Sequence, residues 1–132
     1  MYKAKTLLLI AVLIVSALHC ARAERRYRTV KLHSGKVLKV FSTGRMRFGN
    51  GTQAVTIRYE TDIPIDDIAA LTAEADAIWP DLQPEVERAN VEAAILMASP
   101  PRPEGFIYRS RSYNFVYLRG GDGTWYRSAV KQ

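Results

Sequence analysis

Residues 54–90 read AVTIRYETDIPIDDIAALTAEADAIWPDLQPEVERAN, and the spacing of apolar positions changes inside this stretch. From Ala54 to Asp62, Val55, Ile57, Tyr59 and Thr61 alternate with Ala54, Thr56, Arg58, Glu60 and Asp62. A period of two is that of a strand with one face on a core. From Asp66 to Asn90 the period lengthens: Ile68, Leu71, Ala75, Ile78, Leu82, Val86 and Ala89 recur every three or four residues. Such a stripe predicts an amphipathic helix, with Asp62 or Asp66 as its N-cap. Pro80 and Pro84 fall within it. Each removes a backbone donor and costs about 3 kcal/mol in a helix interior, so the pattern predicts a kink or break near Trp79 and a second or bent segment to Asn90.

Strand signals lie on both sides of this helix. Before it, Arg26–Leu32 and Lys36–Phe41 flank the turn dipeptide Ser34-Gly35, and Gly44, Gly49, Asn50 and Gly51 punctuate the next connection. After it, residues 91–98 (VEAAILMA) are too short for an isolated helix and predict a buried strand. Pro100, Pro101 and Pro103 enforce an extended loop. Phe106–Tyr108, Tyr113–Arg119 and Thr124–Val130 then read as strands, the last two joined as a hairpin across residues 120–123 (GGDG). The sum is an α+β fold: one long, kinked or broken helix on an antiparallel sheet of five to six strands.

With 132 residues, 48% hydrophobic and 24% charged, the composition is that of a globular domain and excludes a disordered tail or a collagen-like repeat. The first 23 residues form an expected export signal. Lys3 and Lys5 precede an apolar run from Thr6 to Leu18, and Ala21-Arg22-Ala23 supplies the small-x-small pattern of a cleavage site. That run falls short of the roughly 18 residues a bilayer crossing needs, so a stable transmembrane anchor is not expected. Cys20 opens the option of lipidation, although Ala17-Leu18-His19 before it is a poor lipoprotein signal. Residues 24–132 then form a single, disulfide-free α+β domain, periplasmic or secreted, with retention in the membrane as the alternative.

Charge is segregated along the chain. Residues 24–59 hold nine Lys/Arg against Glu24, residues 60–92 hold ten Asp/Glu against Arg88, and residues 93–132 hold six Lys/Arg against two acids. On folding, the acidic middle either neutralises its basic flanks or presents a face of opposite sign. Asp67, Glu74, Asp81 and Glu85 are expected on the outer, solvated side of the helix.

Catalytic chemistry has little to work with. Cys20 and His19 leave with the signal, and the remaining His33 sits beside Ser34 at a turn, which makes no triad and reads as a surface histidine. One histidine and no cysteine make no zinc site, and the carboxylates Glu60, Asp62, Asp66 and Asp67 match no calcium-loop spacing. No metal and no cofactor is expected. Residues 106–127 are more suggestive, since they carry seven of the thirteen aromatics. Tyr113 and Tyr117 lie there among Arg109, Arg111, Arg119 and Arg127, a mixture that stacks on rings and pairs with anions. The same alternation also arises when aromatics point into a core and arginines away from it.

These residues point to a small exported bacterial protein acting as a non-catalytic binding or accessory module. Its expected partner is an envelope protein, an anionic glycan or a lipid head group, and nucleic acid is not expected outside the cytoplasm. The competing expectation is a small-ligand-binding protein or enzyme with a pocket between sheet and helix, using Tyr59, Asp62 and Trp79. A third is an envelope protein that keeps its N-terminal segment in the membrane.

Overall fold

The computed structural model describes residues 27–101 and 111–129. Its elements run β1 (Arg28–Lys31), β2 (Val37–Arg47), β3 (Gln53–Glu60), α1 (Ile68–Arg88), β4 (Ala93–Ser99), β5 (Tyr113–Arg119) and β6 (Trp125–Arg127). The strands form one six-stranded sheet in sequence order, and α1 packs on one face of it. The fold is α+β. The expected strand at Phe106–Tyr108 and the expected export signal lie outside the described residues.

The sheet is mixed and not antiparallel throughout. Neighbouring strands are antiparallel except β3 and β4, which run parallel with Ile57 opposite Leu96. The helix is the cause. Its 21 residues advance about 31 Å, which returns the chain to the end of the sheet where β3 began, so the next strand must run the same way. Local periodicity reports which face of a strand is buried and carries no sign of its direction.

The helix is also continuous through Trp79. Pro80 and Pro84 are both exposed, four residues apart on the solvent side. The carbonyls they leave unbonded, those of Asp76 and Pro80, belong to that same strip, while Ile78, Trp79, Leu82 and Val86 hold the opposite side in the core. Asp67 is the N-cap, one residue beyond Asp66, and its carboxylate accepts from the Ala70 backbone N–H at 3.2 Å. Beyond the C-cap Ala89, Asn90 takes φ +53°, the left-handed turn that asparagine tolerates and that ends the helix.

Strand β2 runs on through Gly44, which the sequence pattern places in a connection. A Cβ at Gly44 would sit 3.0 Å from the Thr56 hydroxyl, so glycine here allows β2 and β3 to approach closely. The hairpin closes later, where the Phe48 N–H donates to the Thr52 carbonyl at 2.8 Å. Between α1 and the sheet lies the core of Leu38, Val55, Ile57, Leu71, Ile78, Leu82, Leu96 and Phe115, all nearly or fully buried.

Candidate functional site

The chemically distinctive region is the seam where α1 meets the sheet. Alternation puts Tyr59 of β3 and Tyr117 of β5 on the helix side. Helical spacing brings Trp79 over Tyr117, and their rings stack with centroids 4.1 Å apart and planes 6° apart. Trp125 of β6 meets the edge of Trp79 at 5.4 Å. Asp76, one turn before Trp79, accepts from the Tyr117 hydroxyl at 3.0 Å and from Arg127 Nε at 3.0 Å. Two sets of residues that the sequence treats separately, Trp79 with Tyr59 and Tyr117 with Arg127, therefore belong to one cluster.

Burial, and then the hydrogen bond to Asp76, push the Tyr117 phenol well above its ordinary range. Its bond to the Asp76 carboxylate holds the Arg127 guanidinium firmly in its charged form. Burial also raises Tyr59, helped by the nearby negative charge of Glu74. Three buried polar atoms here lack a hydrogen-bond partner: the Tyr59 hydroxyl, Glu74 Oε1 and Trp125 Nε1. Sequence gave no sign of the orphaned Glu74 or Trp125 atoms, because the period places a residue on a face without revealing whether its polar tip is met.

The acids of α1 do not form a solvated outer stripe. Glu74 and Asp81 keep only 10% and 11% of their side-chain surface, and groups of the β1–β2 hairpin reach both. Lys36 Nζ lies 3.4 Å from Glu74, His33 Nδ1 2.9 Å from Asp81, and Arg28 donates to both oxygens of Glu85 at 2.7 and 2.8 Å. With Arg127 on Asp76, the basic flanks grip the acidic helix from both sides. Glu60, Glu74, Asp76 and Glu85 of the acidic stretch thus pair with Lys or Arg of its basic flanks.

The arginine-aromatic candidates separate in space. Arg119 is exposed on the helix side of β5, in register with Trp125, while Arg127 is in register with Tyr117 and engaged by Asp76. Arg111 is exposed before the other end of β5, Tyr113 is half-buried against the core, and Arg109 lies outside the described residues. Of the pocket candidates, Tyr59 and Trp79 are core residues, and Asp62 is exposed in the connection from β3 to α1. A groove of about 320 Å³ lies elsewhere, at the irregularity of β2 beside β1, lined by Tyr27, Arg28, Val40, Phe41, Ser42 and Thr43. Among the described residues no three His, Cys, Asp or Glu side chains gather as metal ligands, and no helix is long and apolar enough to cross a membrane.

Among the described residues these features define an α+β arrangement of one helix and six strands with an acid-base seam. Comparison with protein-family models, with curated proteins and with solved structures returns no match.

Proposed function

We propose that this is a small exported bacterial protein that works outside the cytoplasm, in the periplasm or secreted, as a non-catalytic binding or accessory module. One observation supports this above the others: the ionisable groups of the helix seam are spent on one another, while Arg119 stays exposed beside Trp125 at the β5–β6 ribbon. An aromatic ring with an exposed guanidinium suits an acidic protein surface, an anionic glycan or a lipid head group. In-host crosslinking followed by mass analysis of the N-terminal peptide and of whatever is captured tests this. The expected result is an N-terminus at Glu24 with one reproducible companion, lost in the Arg109/Arg111/Arg119 alanine triple while its circular dichroism is unchanged. Undiminished capture by the triple removes this surface, and an intact Met1 moves the protein to a membrane-anchored role.

A further inference from the structure

Strand register lines up a row of polar side chains at one end of the sheet. Arg47 is in register with Gln53, and Arg119 with Trp125. Between them, the Glu92 N–H donates to the Gln53 carbonyl at 3.2 Å and the Arg119 N–H donates to the Glu92 carbonyl at 2.9 Å. The row therefore runs Arg47, Gln53, Glu92, Arg119, Trp125, from β2 across to β6. Its first four residues are exposed and Trp125 is half-buried. Among the described residues, no side-chain hydrogen bond or ion pair occupies any of those four.

The end of α1 leaves this row uncovered. One step inward the register gives Arg45, Val55, Ala94, Tyr117 and Arg127, and there Val55, Ala94 and Tyr117 are 3%, 0% and 3% exposed beneath the helix. Arg45 of that inner row donates to the carbonyl of the C-cap Ala89 at 3.0 Å, which marks where the helix stops. Residues two apart on a strand share a face. Arg47, Gln53 and Arg119 thus stand on the helix side of the sheet but past the end of the helix, on an open shelf.

Spacing and chemistry together select an occupant. Strands lie about 4.8 Å apart, so the four intervals of the row span about 19 Å. A chain of pyranose rings laid across the strands advances by a comparable step, and successive rings meet successive strands. A guanidinium only donates, a carboxylate only accepts and a carboxamide does both, the mixture that neighbouring sugar hydroxyls satisfy. Arg47 and Arg119, on either side of Gln53 and Glu92, suit carboxylate or sulfate groups on such a chain. A purely acidic protein surface would pair with the arginines and be repelled by Glu92 between them, and a single lipid head group is too short to span the row.

We propose that this row is the binding shelf for an acidic oligosaccharide of about four rings, bearing carboxylates or sulfates. The proposal rests on the binding-module reading above and narrows its partner to a glycan. Amide NMR titration tests it on the protein expressed from its full sequence and purified with the N-terminus the host leaves. The probes are tetragalacturonate, a chondroitin sulfate tetrasaccharide, maltotetraose and tetraglutamate, each to about 5 mM. An acidic tetrasaccharide is expected to bind, shifting the amides of Gln53, Glu92 and Arg119 most, with maltotetraose and tetraglutamate weaker by at least about tenfold. Arg47→Ala and Gln53→Ala, at exposed positions on strands remote from Arg119, should each weaken binding about fivefold with unchanged circular dichroism. The proposal is overturned if neither acidic tetrasaccharide binds, if tetraglutamate binds equally well, or if both variants bind as tightly as the parent. Should the crosslinked companion still be captured, and lost in the arginine triple, the binding-module reading stands with a protein partner and the glycan alone falls.

Discussion

Tyr59 carries a hydroxyl that its fully buried ring places in the core without a partner. A buried, unsatisfied hydroxyl costs about 1–3 kcal/mol, and removing the group removes that cost. Tyr59→Phe is therefore expected to raise the unfolding free energy by about 1 kcal/mol, read from urea denaturation. The opposite is expected at Tyr117, whose hydroxyl binds Asp76. Tyr117→Phe removes that donor and leaves Asp76 Oδ1 to Arg127 Nε alone, and it should lower stability by about 1 kcal/mol. Both phenols titrate above their ordinary value in the folded state. A group whose folded pKa is raised stabilises fully below its unfolded pKa, and that stability is lost as pH rises past it. The protein is thus expected to hold its stability to about pH 10 and to weaken above it. Two of its seven tyrosines should gain tyrosinate absorbance only with unfolding, and simple, early titration of all of them would contradict this.

The helix shows what kind of information a period holds. Most of its stripe was legible because burial of one face is a local matter: Leu71, Ala75, Ile78, Leu82 and Val86 are in the core, Ala89 is half-buried, and Ile68 in the first turn is exposed. Its continuity was not legible, because the cost of Pro80 and Pro84 depends on which side of the helix they occupy, and they fall on the wet side. Proline-to-alanine changes there should each restore one main-chain bond and raise stability by about 1 kcal/mol, since relaxed sterics return less than the full cost of an interior proline. Asp67→Ala removes the cap accepting from Ala70 and should cost about 1 kcal/mol; thermal melts of the three variants check both signs. Strand direction was equally hidden. Ile57 and Leu96 alternate as they would in either orientation, and only the length of the intervening helix makes their strands parallel.

For the whole molecule, the basic, acidic, basic order along the chain was legible, but its outcome required tertiary contact. Arg28 lies 57 residues from Glu85, and Lys36 lies 38 from Glu74. Asp76 illustrates the same limit for the candidate site: nothing in its spacing announces that Tyr117 and Arg127, from two later strands, converge on it. These ion pairs are partly exposed, so each contributes little, about 1 kcal/mol at most. Glu85→Gln should lower stability by less than about 1 kcal/mol, and the difference should vanish in about 1 M salt, where the screening length is near 3 Å. A larger or salt-insensitive loss would mean that the seam is drier than its exposures indicate.

One further feature bears on how this protein survives in a crowded compartment. Strand β2 runs on to Arg47, well past Val40, the last of its residues in register with β1. An open ladder of amides is a template for runaway chain-to-chain growth into fibrils. Here the register shift between Val40 and Ser42 bends the ladder, Gly44 weakens its strand character, and Arg45 and Arg47 place two charges along it. Replacing both arginines by valine, a change that leaves the core untouched, should convert a well-behaved protein into one that nucleates thioflavin-binding aggregates. In that light the basic character of β2 is a defence against the chain's own copies as much as a complement to its helix.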